Sequence, residues 1–520
     1  MERSGKGIIS NSVIQRILRV LFLWGIITLS VYFSNHWNES DVLPLARQFM
    51  DRQWLPTDWY LNLRTDYRVL FDILVGSFLS KVDFQTVSLT GCLLEYLAYA
   101  FALDSLYRAL HLRFEYGAAA LALFLGQQFL VAGEWMIGGL ETKVFAYLCV
   151  LFSISLILNE RYRPAFFLAG LAFSFHPLIG MYSFFCLCVA LFCIAIRTGE
   201  FWKLFKSAWL FLVSGLAGFF SIFQQLRFSS SSNNRAWEIY VLFRLPRHLY
   251  PAAWQGLTWI WLLGLSILLI IVLLRVVHEK KIKFLLIYLL CSVGLFGIGL
   301  IFYSLGLISW LRFYWFRLAD VMIPFLLPIL LLSFLSTGWL DQKMEKFRRK
   351  PKFFSNENPN RSLSVLILIL TVFISLGNFA TTFREYQKQE QAMSSERTVF
   401  AWIAGNTPKE AVFLVDPTLA DFYLTAQRSM FCSLKHLPSY EDEILEWHDR
   451  LSLCNGGKEF NQSGATVAGE LQDNFYQLSL TQIKMIARQY AVSYYLGNEE
   501  RQLNLPLIYD SGSYRLYLIN

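Results

Sequence analysis

Charge is scarce in this chain: 16% of its 520 residues are Asp, Glu, Lys or Arg, where soluble globular proteins carry about 25%. That deficit excludes an ordinary soluble fold. Proline (14) and glycine (30) are also sparse, which excludes collagenous and low-complexity disordered chains. No period of 20–50 residues recurs, so solenoids and propellers are excluded as well. Cysteine is limited to eight residues, six of them (Cys92, Cys149, Cys186, Cys188, Cys193 and Cys291) inside apolar runs and without metal-ligand spacing. Cys432 and Cys454, 22 residues apart in a polar region, are the one pair placed for a disulfide in an oxidising compartment. The strand-like context RSMFC favours free thiols there. What is abundant is apolar surface: 55% of residues are apolar and 17% aromatic, with a mean hydropathy of +0.42. Such a composition needs a bilayer as solvent. The net charge of +8 falls on loops between apolar runs, so no nucleic-acid partner is expected.

A basic flank precedes the run LFLWGIITLSVYF, and no small-x-small cleavage pattern follows it. The run therefore reads as an uncleaved first helix with a cytoplasmic N-terminus. At about 20 apolar residues per crossing, ten further spans are expected near 85–108, 116–133, 142–158, 163–179, 180–197, 204–224, 256–275, 284–304, 316–336 and 363–380. Lys and Arg then fall on alternate sides: Arg108 with Arg113, Arg161 with Arg163, Arg197 with Lys203, Arg275 with Lys280, Lys281 and Lys283, and the run from Lys343 to Lys352. All of these are expected inside. His176-Pro177 marks an outward tip between two short spans.

Three regions are expected outside. The loop 34–84 is acidic and carries a half-apolar stretch, Tyr67 to Leu79, expected as an interfacial helix. The second is 225–255. The third runs from about 381 and reads as a soluble α/β domain of roughly 140 residues. In it AVFLVD (411–416) and AVSYYLG (491–497) read as buried strands, Ser511-Gly512 as a hairpin turn, and Ser479 to Gln482 as a capping box.

The first outer loop gathers Glu39, Asp41, Asp51, Asp58 and Asp66. For any one acid a solvated surface role is the simpler reading, but Glu39 and Asp41 lie close to the end of the first helix, where a base meets a lipid-linked substrate. Asp58, among aromatic residues, fits either a structural role or an acceptor groove. Glu134, Glu141 and Lys143 lie at the outer ends of spans, where ionisable groups suggest function. Positions i and i+2 on a helix do not face each other, so Glu141 and Lys143 are expected to have different partners. Arg235, Arg244, Arg247, His248, Arg312 and Arg317 are outward cations against the positive-inside bias. Guanidinium groups bind phosphate bidentately, while pairing of Arg317 with Asp320 at helical spacing is the bland alternative. His176 is expected either to satisfy a backbone carbonyl or to reach a site from the outward tip.

This layout resembles the GT-C superfamily of glycosyltransferases, which includes protein O-mannosyltransferases, aminoarabinose transferases and the oligosaccharyltransferase catalytic subunit. The segments ETKVFAY, FHPLIG, FRLPRHLYP, AWIAGNTPKEAVFLVDP, RSMFCSLKHLP and EILEWHDRL resemble, over most of the chain, an uncharacterised family of multispanning bacterial proteins of cyanobacterial type. The GT-C resemblance implies an inner (plasma) membrane enzyme with a polyprenyl-phosphate-linked sugar donor and an extracytoplasmic acceptor. It also implies a first-loop acid acting as base or as ligand of a divalent metal. Carried onto NESDVLPLARQF, that acid is Asp41, with Glu39 second; the adjacent Asp-Glu pair of the mannosyltransferases is replaced by Glu39-Ser40-Asp41, and no WWD-type signature is present.

The fold expectation is thus an α-helical polytopic membrane protein of about eleven spans, residues 1–380, with an extracytoplasmic α/β domain over 381–520. The functional expectation is sugar transfer, with Asp41 and Glu39 catalytic and Asp58, Glu141, Lys143, His176, Arg244, His248 and Arg317 binding substrate. A transporter or flippase is the alternative, expected to show ionisable groups at mid-membrane depth, broken helices and an internal repeat. A noncatalytic cell-envelope scaffold is the third.

Overall fold

A computed structural model describes residues 4–34, 36–64, 67–198, 201–228, 234–254, 256–336 and 359–519. Asp66, the serine cluster before Asn233 and the basic run 343–352 lie outside the described residues, as do the side chains of Arg197 and Lys203.

The chain is mostly helical, as continuous apolar sequence in a bilayer solvent requires. Its first sixteen α-helices are α1 (Ser4–Val31), α2 (Glu39–Met50), α3 (Val69–Leu79), α4 (Phe84–Ala109), α5 (Phe114–Gly126), α6 (Thr142–Leu158), α7 (Tyr162–Phe175), α8 (Pro177–Thr198), α9 (Phe201–Ser214), α10 (Leu216–Phe228), α11 (Asn234–Glu238), α12 (Pro246–Leu249), α13 (Thr258–Val276), α14 (Lys280–Ser304), α15 (Ile308–Leu311) and α16 (Arg317–Ser336). A π-helical turn, Ile239–Arg244, joins α11 to α12, and α17 covers Pro359–Ala392. Among the described residues, seven helices are long and apolar enough to cross a membrane, in α1, α4, α8, α13, α14, α16 and α17. An eighth crossing is available if α9 and α10, bent by 61° at Gly215, count as one.

All eleven expected segments are helical, but their lengths differ from expectation. The span expected at 116–133 stops at Gly126, and residues 127–141 form an irregular loop. The loop's backbone hydrogen bonds go to side chains, so its apolar residues need not be helical. Gln128 Oε1 accepts from Met136 N and Ile137 N. Asp320 accepts from the N–H groups of Leu130, Val131, Ala132 and Glu134. Helices α5, α6 and α7 have 13, 17 and 14 residues; at 1.5 Å per residue each falls short of a hydrocarbon core of about 30 Å. The break at His176 follows from the proline after it, which holds His176 extended (φ −147°, ψ 100°) and starts α8 at its own ring. A Cβ at Gly180 would stand 2.2 Å from the Phe173 backbone, so only glycine lets α8 fold back this closely on α7. Helix α17 runs on to Ala392, twelve residues beyond the expected end of the last span.

The C-terminal region contains α18 (Ser394–Asn406), β1 (Val412–Leu414), α19 (Phe422–Thr425), β2 (Ser429–Met430), α20 (Glu441–Cys454), α21 (Val467–Phe475), α22 (Leu480–Tyr490), β3 (Tyr494–Asn498), β4 (Leu507–Asp510) and β5 (Tyr514–Leu518). The strands form one sheet in the order β2-β1-β3-β5-β4, with β1 parallel to both β2 and β3 and the last two pairings antiparallel. The hairpin at Ser511-Gly512 and the Ser479 capping box are present. Cys432 and Cys454 are free, buried thiols.

Outer-loop residues share this region's apolar clusters. Leu55, Tyr60 and Leu61 pack with Phe400, Phe413 and Phe422, and Ala236 and Ile239 pack with Trp447 and Leu471. Helix α3 covers most of the half-apolar stretch Tyr67 to Leu79 in which a helix was expected. It buries Phe71, Val75 and Leu79 and exposes Ile73, Leu74 and Phe78. Its Gly76 lies so close to α2 that a Cβ would be 2.1 Å from the Ala46 carbonyl oxygen.

Candidate functional site

The polar residues that the sequence scatters over several loops converge at one end of the helices. Glu39 and Asp41 both occupy the first turn of α2, but two residues of helix are about 200° of rotation, and they face opposite ways. Glu39 is buried and saturated: Oε1 accepts from Leu140 N at 2.7 Å and meets His36 Nδ1 at 3.0 Å, while Oε2 accepts from Ser88 Oγ at 2.8 Å. So engaged, the Glu39 carboxylate ties the start of α2 to the 127–141 loop and to α4.

Asp41 lies on the face toward the C-terminal region. Tyr60 OH donates to its Oδ1 at 2.6 Å and Arg68 Nη1 lies 3.2 Å from its Oδ2. Its side chain keeps about a fifth of its surface exposed (21%). Burial pushes the carboxyl up, but the attraction of Arg68, with help from its other neighbours, outweighs this and holds it below the usual range. The sequence reading passed over two residues beside it, Lys435 and His436. Lys435 Nζ donates to Asn38 Oδ1 at 2.6 Å, and burial pulls its ammonium down to about 8. His436 donates from Nε2 to Ser40 O and stacks on Tyr60; burial brings it to about 4, so it is neutral. Arg244 joins this group from the π-helical turn, held by Nε donating to Leu434 O at 2.8 Å and within electrostatic reach of Asp41. Among the described residues no carboxylate forms an ion pair with Arg244 or Lys435. Tyr60 and Arg68 also line a cleft between α2 and residues 437–439.

A second group surrounds Glu134. Its Oε1 accepts from Arg317 Nε at 2.9 Å, Lys143 Nζ is 3.5 Å from Oε2, and His248 Nδ1 is 3.6 Å from Oε1. Burial raises the Glu134 carboxyl, but Arg317 and then Lys143 bring it down to about 2. His248 donates Nδ1–H to Ala132 O, and burial lowers it to about 4. Arg317 also donates from Nη1 to His176 Nε2 at 2.9 Å. The alternative of an Arg317–Asp320 pair is not formed: Asp320 accepts from backbone N–H groups, and Arg317 turns to Glu134 and His176.

Glu141 and Lys143 do approach each other, at 3.6 Å, against expectation. The i, i+2 rule fails because Glu141 is extended (φ −149°, ψ 164°) and precedes α6. Lys143 lies over the Trp135 ring at 3.2 Å, while Glu141 accepts from Trp135 Nε1 and from Asn38 Nδ2. Asn38 thereby links the two groups, since its carbonyl holds Lys435.

Asp58 stands apart from both. Its carboxylate accepts from Leu61 N at 2.8 Å and Met430 N at 3.0 Å, stapling the first outer loop to β2, and burial raises it to about 6. It is structural, not an acceptor groove. Arg235 is exposed, and Arg247 lies over Phe129.

A hard divalent cation requires several oxygen ligands in one place. Asp41 faces Arg68, Lys435 and Arg244 instead, so the donor set there does not fit the metal that the GT-C resemblance implies. The arrangement fits an anion beside a carboxylate. Glu95, in the middle of α4, is missing from the residues singled out in the sequence, although an acid within an apolar run is by default a functional candidate.

Fold and site together define a polytopic helical protein in which the segments after α1 and before α12 meet a mixed-sheet C-terminal region at a mixed-charge site. Residues 394–454 match the model of a domain of unknown function, DUF6798; the segment runs from α18 through α20 and supplies Lys435 and His436. No curated protein matches the chain.

Proposed function

We propose that this protein is a membrane glycosyltransferase that moves a sugar from a polyprenyl-phosphate-linked donor to an extracytoplasmic acceptor. In this reading the chain crosses a bacterial inner membrane eleven times, with the N-terminus inside and the C-terminal region outside. The single observation that carries the reading is the juxtaposition of Asp41 with Arg244 and Lys435. It puts one ionised carboxylate beside two cations that no carboxylate neutralises, next to helices long enough to cross a bilayer.

The chemistry follows from that charge pattern. An acceptor hydroxyl attacks the anomeric carbon, the bond from that carbon to the phosphate oxygen breaks, and the lipid phosphate leaves with the electron pair. Arg244 and Lys435 stabilise the negative charge that grows on the leaving oxygen, so they act more strongly on the transition state than on the ground state. Asp41 receives the hydroxyl proton. Its low affinity for protons is no obstacle, because in an oxocarbenium-like transition state the hydroxyl becomes acidic only as its oxygen bonds to carbon. Arg317, expected to bind the donor phosphate, is occupied by Glu134 and His176, so Lys435 takes that role here.

The transporter reading keeps one support: Glu95 lies within a candidate span with both carboxylate oxygens unpartnered, and α9 and α10 are bent. The two readings separate by lipid retention. Native mass spectrometry of detergent-solubilised protein should show undecaprenyl phosphate retained over undecaprenol. Arg244→Ala with Lys435→Ala should lower that retention by roughly tenfold or more, since a hydrogen bond to a charged group contributes about 1.5–3 kcal/mol. Equal retention of the phosphate and the alcohol by the unmodified protein would remove the donor site.

A further inference from the structure

Outside the site around Asp41, three chemically different side chains bring their ligand atoms together. Glu39 Oε1 lies 3.0 Å from His36 Nδ1 and 3.6 Å from Cys92 Sγ, and the three ligand atoms all fall within 4.8 Å of one another. They come from the segment after α1, the start of α2 and the third turn of α4. Sequence spacing could not show this cluster, because 53 residues separate Glu39 from Cys92.

The histidine's orientation is informative. His36 Nε2 is 2.8 Å from the Tyr32 carbonyl oxygen, which can only accept, so Nε2 carries the hydrogen. In the neutral ring Nδ1 then points a lone pair at the Glu39 carboxylate. Two acceptors 3.0 Å apart require something positive between them, either a proton that makes an imidazolium or a metal ion. A ring whose far N–H is fixed by a backbone carbonyl is the arrangement that orients metal-ligating histidines.

Two further observations favour the metal. Bonds of about 2.0–2.3 Å from zinc to N, O and S in a tetrahedron put ligand atoms roughly 3.3–3.8 Å apart, and the 3.0 Å and 3.6 Å contacts of Glu39 Oε1 lie within a few tenths of an ångström of that range. Neutral imidazole, carboxylate and thiolate carry two negative charges, which balance a divalent ion.

We propose that His36 Nδ1, Glu39 Oε1 and Cys92 Sγ form a binding site for a zinc-class transition-metal ion. Binding forms the metal–sulfur bond and releases the Cys92 thiol proton to solvent. Access is from the His36 side, whose side chain is about one-third exposed (32%). The ion joins the ends of α1, α2 and α4 and so fixes the first turn of α2. Nothing in this assignment depends on the glycosyl-transfer reading.

The test uses the full chain in detergent, stripped with chelator and reloaded with zinc alone or cobalt alone. The expected results are stoichiometric zinc by elemental mass spectrometry after dialysis and a thiolate-to-cobalt charge-transfer band in the near ultraviolet. Cys92→Ser should abolish the band, and His36→Gln should weaken zinc retention by roughly tenfold or more. Absence of the band in the unmodified protein overturns the proposal and leaves an imidazolium–carboxylate pair beside a buried thiol. So does zinc retention by Cys92→Ser equal to that of the unmodified protein. If Cys92→Ser does not fold, the cobalt spectrum of the unmodified protein with and without thiol blocking, together with His36→Gln, decides the same question.

Discussion

At the scale of single residues, Asp41 and Glu134 are both carboxylates beside arginine, yet the structure sets them to different tasks. Asp41 keeps part of its surface open and faces two cations without carboxylate partners, so its charge is available to a substrate. Asp41→Asn preserves size and removes basicity, and should lower sugar transfer by about 10²–10⁴-fold with the protein still folded. Asp51→Asn, just past the end of α2, should leave transfer unchanged; equal activity of the two variants in a membrane transfer assay would reject Asp41 as the base. Glu134 is fully enclosed, and its ions serve stability. Its folded value of about 2 against an ordinary 4.5 corresponds to about 3 kcal/mol. Because the folded value is depressed, this stabilisation is complete above about pH 4.5 and is lost as pH falls from there toward 2. Glu134→Gln should therefore lower the midpoint of thermal unfolding near neutral pH, leaving Arg317 without its buried counter-charge, while Lys143 keeps Glu141, at a cost of about 3–5 kcal/mol. It should also flatten the acid limb. An unfolding midpoint unchanged at pH 7 would show that Glu134 does not hold these cations.

At the scale of elements, legibility in the sequence followed the type of interaction. Helices driven by long apolar runs were readable to within a few residues, as α4 and α6 show, because burial against lipid depends on composition alone. The loop 127–141 was not readable. Its residues are as apolar as a span, and what keeps them irregular is Asp320, 180 or more positions away in sequence, whose carboxylate accepts four backbone N–H groups. The same long-range logic hid the contacts of Glu39 and Asp58, each of which accepts one backbone N–H from a distant segment, Leu140 N and Met430 N. Asp41 was found through its place near the end of the first helix. Lys435 and His436 were visible only as part of the motif RSMFCSLKHLP. Asp320→Ala should free the loop: amide hydrogen exchange at 131, 132 and 134 should rise by orders of magnitude, since three donors lose their acceptor at once while Leu130 N keeps the Asp320 carbonyl oxygen. Exchange that stays slow there would mean that packing of Ile137 and Leu140 is what holds the loop.

At the scale of the whole molecule, contacts sort the connecting segments into two ends. At one end Arg64 pairs with Asp442 and Glu443, Trp237 donates to Glu441, and His436 reaches Ser40, so the first loop, the second loop and the C-terminal region are on one side. At the other, Arg19 and Arg108 gather on Asp104, Lys280 meets Glu160, and Arg113 donates to Ser364 near the start of α17. Basic residues thus crowd the end away from the C-terminal region, which is the asymmetry that the positive-inside rule associates with cytoplasm. The segment between α16 and α17 carries the run from Lys343 to Lys352, and α17 begins at the Arg113 end and leads into the C-terminal region at Ala392. Reporter fusions after residue 345 should therefore report the cytoplasm and fusions after residue 390 the outer side. The same side for both would mean that α17 does not cross the membrane. The site around Asp41 would then be placed in the cytoplasm, where a donor and acceptor of the extracytoplasmic kind do not meet it.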